Sequence, residues 1–465
     1  MLKRKIEAEL IDWKNSKNKK PLVIKGIRQC GKTYIVQNFA QKNYASVVYM
    51  NFILEPDKKV AFAGNLDVDT IILNLSAMIP NSRFINGKTC IILDEIQDCP
   101  EARTALKSFH LDGRFDVIAT GSLLGVEGYG DKNKKLKNKD KESSVPVGFE
   151  TVINMYPLDF EEFLWANGIN DSVIDTIKSC FKHEKPVPEG VHQAMMNLLY
   201  RYVITGGLPE VVNCYLETKN IELIYKLQRT LLAGYEEDMV KYADDSDKPN
   251  IRECFDSIPR QLAKENKKFQ YSIVKKGGRA SQFIGSLQWL EDAGIIRICY
   301  NTTLPQLPLE GNAITDCFKV YTTDIGILIS MLDYGTQQDI LRGNLMGYKG
   351  AIYENLMADC LCKSGQKLYY FRKDSGLEID FLVRYDGECV LVEVKANTGR
   401  AKSMNTVLKN KDTYHVNHAF KLGNYNIGRE GAVLTIPLYM GFLLKDRIAS
   451  PIIPDVVIDM KGIVP

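Results

Sequence analysis

From Pro21 to about Asp116, short apolar runs alternate with amphipathic stretches. PLVIKG, SVVYMNFI, TCIILDE and FDVIATG have the apolar, β-rich character of strands, while KTYIVQNFAQKN, TIILNLSAMI and ARTALKSFH between them suit helices. Continuous apolar strands separated by helices predict a parallel sheet covered on both faces. The glycines and lysines of Gly125–Ser144 break the pattern. A run of that kind is a solvated loop, with a nucleic-acid contact as the alternative. A further strand, ETVINMY, leads into PLDFEEFLWA, where the chain turns helical. From about Asp159 to Lys241 the spacing is mostly helical, interrupted at Gly206–Glu210 (GGLPE). Residues from about Asn250 to Leu332 predict a small helix–helix–strand module, and after about Gly335 helix and strand mix again.

A chain of 465 residues is too long for one core and implies three domains, or two large ones. Sixty basic against 57 acidic residues leave +3, so any basic, nucleic-acid-binding surface must be local. The longest apolar stretches, such as Ile71–Leu75 and Ile325–Leu332, fall short of the roughly 18–20 residues a membrane span needs. The amino terminus is charged throughout and lacks the apolar core of a signal peptide. The eleven cysteines form no CxxC pair, which points to reduced thiols in a cytoplasmic protein without a membrane partner. Cys360 and Cys362 are expected on a helix with their neighbours rather than on a metal.

Gly26-Ile27-Arg28-Gln29-Cys30-Gly31-Lys32-Thr33 matches G-x-x-x-x-G-K-[ST] in full, between an apolar strand and an amphipathic helix. Glycines let the backbone wrap a phosphate, and a helix amino terminus favours negative charge. Gly26, Arg28, Gln29, Cys30 and Gly31 would line the loop. Lys32 would bridge the β- and γ-phosphates of the nucleotide, and Thr33 would ligate Mg²⁺. A magnesium partner should end a later buried strand, and Thr89–Glu95 (TCIILDE) supplies it: Asp94 for the metal's water shell, Glu95 to polarise the attacking water. The next strand ends in Thr120-Gly121-Ser122. Thr120 or Ser122 is a candidate sensor of the γ-phosphate, and Ser122 reads equally well as a helix cap.

GIRQCGKT, ILDEIQDCP, ATGSLLG, YPLDFEEFL and GGLPE occur here in that order. The chain thereby resembles the prokaryotic AAA-domain P-loop ATPases that carry a carboxy-terminal domain of unknown function, over about residues 20–165 and 200–400. The resemblance implies ATP as the nucleotide and a sensor strand inserted between the two Walker strands. Many members of the family have an arginine shortly before the PLDFEEF-type segment, where this chain has Gly148-Phe149-Glu150. Any arginine finger is therefore unassigned, with Arg28 and Arg103 as possible contacts and solvated arginines as the default.

A second constellation follows. Leu377–Val383 (LEIDFLV) alternates apolar and acidic residues, and Cys389–Lys395 (CVLVEVK) follows as a second strand after Asp386-Gly387, the preferred pair for a two-residue hairpin turn. With the turn there, paired positions sum to 773, so Asp380 falls opposite Glu393 and Lys395 opposite Glu378. Opposed carboxylates destabilise a sheet unless something offsets them, and a divalent cation is the natural offset. Lys395 would position or deprotonate a metal-bound water. Asp380…Glu393-x-Lys395 is similar to the D…(D/E)-x-K motif of the restriction-endonuclease superfamily, with Glu354 matching the acid that superfamily often adds and Ile379 standing where the usual proline would be. The alternative is a hairpin carrying plain surface ion pairs. Lys275-Lys276-Gly277-Gly278-Arg279, the Phe283/Leu287/Leu290 stripe and the strand IIRICY resemble a winged helix, which docks on DNA or on protein. His415 and His418 have helical spacing without a nearby carboxylate and read as a surface pair.

The expected fold is thus an α/β multidomain chain. Residues 1–165 form a P-loop AAA-type ATPase core, 166–245 a helical lid, 246–334 a winged-helix-like module and 335–465 a restriction-endonuclease-like α/β domain. The expected function is Mg²⁺-dependent ATP hydrolysis coupled to a nuclease-like domain that acts on or binds DNA, with Mg²⁺ or Mn²⁺ as a second divalent cation. The alternative is a nucleotide-dependent switch that binds DNA or a protein partner and has a silent distal domain. The oligomeric state is left open.

Overall fold

The computed structural model describes residues 2–122, 148–242, 247–343, 348–396, 399 and 401–445. The lysine-rich stretch at 125–144 and the end of the chain after 445 lie outside the described residues.

The first sheet is built from β1 (Leu22–Lys25), β2 (Ser46–Asn51), β3 (Thr89–Asp94), β4 (Asp116–Gly121) and β5 (Thr151–Asn154). Its strands are parallel, in the order β2-β3-β4-β1-β5. The strands alternate between two cores: Leu22, Ile24, Ile92 and Ile118 pack on one face, Val23, Ile91, Leu93 and Val117 on the other. Helices α1 (Ile6–Asn15), α2 (Lys32–Asn43), α3 (Val68–Met78) and α4 (Pro100–Asp112) cover these faces. The near-continuous apolar strands needed this two-sided cover. β4 lies between β1 and β3, which carry the two candidate nucleotide motifs.

Helices then dominate: α5 (Phe160–Ala166), α6 (Asp171–Lys182), α7 (Glu189–Thr205), α8 (Pro209–Thr218) and α9 (Ile221–Tyr242). Asp159 and Glu162 form a reciprocal capping box at the start of α5. The GGLPE segment separates α7 from α8, with Gly206 at φ 73°.

The middle module contains three helices, α10 (Lys248–Leu262), α11 (Tyr271–Val274) and α12 (Ala280–Asp292), followed by an antiparallel pair, β6 (Ile296–Thr302) and β7 (Ala313–Thr322). The Phe283, Leu287 and Leu290 stripe of α12 is buried. The pair does not stand alone. After α13 (Ile325–Ser330), α14 (Thr336–Arg342) and α15 (Lys349–Lys363) come β8 (Leu368–Arg372), β9 (Glu378–Tyr385), β10 (Glu388–Val394), α16 (Lys402–Lys409), β11 (Ala419–Gly423), β12 (Gly428–Glu430) and β13 (Val433–Pro437). β6 pairs in parallel with β8, so one eight-stranded sheet, β12-β13-β11-β10-β9-β8-β6-β7, runs across residue 335. α15 packs on one face of this sheet, in a core continuous with that of α5–α9, and α16 packs on the other. Among the described residues, no helix is long and apolar enough to cross a membrane.

Candidate active site

β1 delivers the chain into the Gly26–Thr33 loop and α2 carries it away. Gly31, at φ 96°, sits immediately before α2 in a conformation that side-chain-bearing residues rarely adopt. The first-turn amides of α2 have no intrahelical partners, which makes this helix start an anion site. The buried Lys32 ammonium donates to Gly26 O, Ile27 O and Ser122 Oγ, each at 2.9 Å. All three acceptors are neutral. A buried ammonium with only neutral acceptors fits an anionic phosphate brought alongside it.

Asp94, at the end of β3, is buried and accepts from four neutral side chains. Thr33 Oγ1 lies 3.0 and 3.2 Å from its two oxygens, Tyr49 OH 2.8 Å and Asn51 Nδ2 3.0 Å, and Thr120 Oγ1 also donates to it. Burial and the Asp94 carboxylate push the Tyr49 phenol up to about 12, so it stays a neutral donor. The pairing of the Thr33 hydroxyl with a buried carboxylate whose donors are neutral suits Mg²⁺. Glu95, half-buried, takes a left-handed conformation at φ 54° and accepts from Gln97 Nε2 at 2.6 Å. That conformation costs a non-glycine residue on the order of 1–2 kcal/mol, and strain of this kind clusters at functional sites.

The remaining loop residues face outward contacts. Gln29 is exposed, and Cys30 is buried with Sγ 3.6 Å from Met155 O. Arg28 pairs with Asp238 of α9, and Tyr235 OH of the same helix donates to Arg28 O at 2.8 Å. Arg103 is buried in α4 and pairs with Glu150 at 3.2 Å, which corrects the expectation of a solvated arginine. The chain places its own glutamate against it.

In the distal sheet, Asp386 and Gly387 both have positive φ (49° and 78°), as a primed two-residue turn requires. The ladder then runs in the expected register from Glu388↔Tyr385 to Val392↔Phe381. Beyond it, the Asp380 carboxylate accepts from Val394 N at 2.8 Å. Glu354 of α15, Asp380 and Glu393 are close enough to perturb one another. Burial first, then the charges of Glu354 and Glu393, push Asp380 well above the usual carboxylate range. Burial also raises Glu393. Burial alone would raise Glu354 too, but Lys319 and Lys267 hold it below its ordinary value.

Two expectations need correction here. Lys395 pairs with Glu393, not with Glu378. Glu378 is taken by Lys319 at 2.6 Å and Arg372 at 3.2 Å, because β8 rather than β10 runs beside it. Lys267 and Tyr321 OH (3.2 Å) occupy Glu354, and Lys319 lies 3.8 Å away from it. The described ladder stops at Val392↔Phe381, short of Asp380 and Glu393, and the charges that offset the clustered acids are ammonium groups. Among the described residues, no three acidic, histidine or cysteine side chains are arranged to hold a metal ion. His415 and His418 are not on a shared helix, and His418 Nε2 lies 3.7 Å from Glu388.

Several contributing residues escaped the sequence reading. Tyr49 and Asn51 share one face of β2, and Asn51 stands in register with Asp94, a placement visible only once β2 is known to neighbour β3. Arg4, ahead of α1, is buried and donates to Cys30 O at 3.1 Å and Tyr156 O at 2.6 Å, which ties the amino terminus to the loop. Lys267, Lys319, Tyr235 and Asp238 act from modules distant in sequence.

Comparison with known proteins gives three family matches: an AAA domain over residues 18–164, and domains of unknown function over residues 196–338 (DUF8612) and 349–439 (DUF4143). No curated protein matches the chain. Among solved structures, it is similar to the Walker-type ATPase paby2304 of Pyrococcus abyssi at 13% identity and a TM-score of 0.42, over 71% of this chain and 96% of that one. It is also similar to AMPPCP-bound DnaA from Aquifex aeolicus at 12% identity and a TM-score of 0.26, over 62% of this chain and 86% of that one. The AAA match covers β1 to β5 together with both nucleotide motifs: the chain is an ATPase whose residues 18–164 form an AAA domain of the P-loop type.

Proposed function

We propose that the protein is an ATP-operated switch, in which the nucleotide state of the loop is passed to the helical and middle modules and the distal domain is catalytically silent. The observation that carries this reading is the grip of α9 on the loop, through Tyr235 OH on Arg28 O and Asp238 on the Arg28 side chain. Phosphates seated on the amides of residues 28–33 would compete with or reshape that grip. Gly294, just after α12, packs against Ile27 of the same loop and gives the middle module a second contact. Residues 1–165 supply the ATPase core and 166–245 the lid. The 246–334 and 335–465 units share a sheet and would move together as one body.

In this reading Gly26, Arg28, Gln29, Cys30 and Gly31 shape the loop, Lys32 holds the β- and γ-phosphates, and Thr33 and Asp94 hold Mg²⁺. The metal supplies neutralisation of phosphate charge. Glu95 orients and deprotonates the attacking water. Ser122, in contact with Lys32, is better placed than Thr120 to sense the γ-phosphate, because Thr120 donates to Asp94. Glu95→Gln is expected to bind ATP as the parent does and to hydrolyse it about 10²–10⁴-fold more slowly. Single-turnover phosphate release measures this, and parental turnover would assign the water to another group. Trapped in its ATP state, the same variant tests the switch: hydrogen exchange in α9 and α12 should differ between ATP and ADP. Identical exchange in both states would reject it.

A second reading, a Mg²⁺- or Mn²⁺-dependent nuclease acting on DNA, draws support from the gathering of Glu354, Asp380, Glu393 and Lys395. Against it stand Lys267, Lys319 and Lys395, which already balance the acids. The full-length protein is therefore expected to leave labelled DNA uncut with ATP and either metal. Scission that disappears in Asp380→Asn would reinstate the nuclease.

A further inference from the structure

A cleft runs between the end of β5, the turn from α12 into β6, and the segment joining α15 to β8. Its wide part encloses about 470 Å³, and a narrower extension of about 90 Å³ reaches Gly26 and Ser122 beside the nucleotide loop. Asn154, Tyr156, Glu291 and Arg297 line both parts, so the two adjoin across these side chains. The wide part falls within the range of small-molecule sites, about 300–1,000 Å³.

The chemistry of its walls is uneven. Tyr156, Tyr300 and Tyr369 supply aromatic surface, Arg297 supplies positive charge, and Lys367 at the rim pairs with Glu310 at 3.2 Å. The Arg297 guanidinium lies 5.6 Å from the centre of the Tyr156 ring, and its buried Nε has no hydrogen-bond partner. Among the described residues, no carboxylate forms an ion pair with it. Arginine presents a planar fork of donors suited to carboxylate and phosphate, and a buried donor left unused is uncommon. Glu291, the one acid on the shared wall, accepts from Ile298 N at 3.2 Å; burial raises its carboxyl, against the opposing pull of that hydrogen bond and of the Arg297 charge.

We propose that this cleft binds a small aromatic anion, a phosphate or carboxylate carried on a flat ring, at a site distinct from the ATP site. Arg297 takes the anionic group and the tyrosines enclose the ring. The test uses full-length protein saturated with Mg·ADP, so that the nucleotide loop is already filled. Titrations with 1-naphthyl phosphate, 1-naphthoate and inorganic phosphate are followed by naphthyl fluorescence or calorimetry. The expected result is saturable one-to-one binding of at least one naphthyl anion, tighter than inorganic phosphate, with the preferred headgroup identifying phosphate or carboxylate. Arg297→Gln should weaken it about tenfold or more, the loss of one charge-assisted contact. Lys367→Gln, at a side chain 74% exposed, is the gentler second variant and should weaken binding less. Absence of saturable binding of both naphthyl anions to the wild type, or equal binding in the wild type and both variants, would overturn the proposal.

Discussion

Lys32→Ala should lose ATP turnover by at least about 10²–10³-fold, the scale at which one preorganised donor to a developing negative charge acts, and should bind nucleotide weakly. The ammonium is buried and donates to neutral groups: two loop carbonyls, the Ser122 hydroxyl and, at 4.0 Å, the Cys30 sulfur. Arg4, the other buried cation at the loop, donates to the carbonyl of Cys30 at 3.1 Å and to that of Tyr156. Arg28 is spoken for by Asp238, and Arg103 by Glu150. The truncation therefore removes the loop's own positive charge and leaves Gly26 O and Ile27 O without their donor, so the empty loop should loosen as well. Phosphate release and titration with a fluorescent ATP analogue measure the two effects separately. Turnover above about a tenth of the parent's would mean that another group supplies the charge.

The ATPase core was legible because its signals are local. A glycine-rich loop between strand and helix, and an acid ending an apolar strand, need only a few consecutive residues each. The hairpin turn at Asp386-Gly387 was legible for the same reason, and its register followed by counting. What the sequence hid depends on neighbours that the chain brings from afar. Glu378 sits beside β8, so it meets Lys319 and Arg372 and not the lysine that hairpin counting assigns to it. Arg103, solvent-facing by default, meets Glu150 across 47 positions. The fusion of β6 to β8 was invisible for a further reason. Parallel pairing leaves no turn signal between its partners, and β6 and β8 are separated by β7 and three helices. The resemblance to a nuclease motif was real as a pattern of residues. Pattern alone carried no information about the ammonium groups that now surround those acids.

The buried joint beneath the GGLPE segment yields the other large effect, this time on stability. Lys363 Nζ, on a side chain 4% exposed, donates to Asp359 at 2.8 Å and to Leu158 O and Tyr202 OH at 3.0 Å, with Asp324 3.8 Å away. Asp324 in turn accepts from Gly207 N at 2.7 Å and Gly326 N at 2.9 Å. A Cβ on Gly207 would overlap Leu158 O, which accounts for the glycine. One ammonium thus serves two fully buried carboxylates. Burial, opposed by Lys363 and reinforced by Asp324, raises Asp359 to about 7, and burial raises Asp324 as well. Burial alone would lower Lys363, but Asp359 and Asp324 outweigh it and raise it. Removing the cation strands the acids, and Lys363→Ala should cost about 3–5 kcal/mol at pH 8, the range for breaking a buried pair. Near pH 5 the loss should shrink, because a protonated Asp359 needs no cation. For Asp359 itself the folded pKa lies above the unfolded value, so the folded state binds the extra proton. Its contribution is fully present below about pH 4 and is lost as pH rises through about 7. Asp359→Asn should therefore flatten the fall in stability over that window and be no less stable than the parent at pH 8. Urea unfolding at pH 5 and pH 8 reads all of this. A Lys363→Ala protein as stable as the parent at pH 8 would contradict the shared-cation account, as would an Asp359→Asn protein that keeps the parental pH slope.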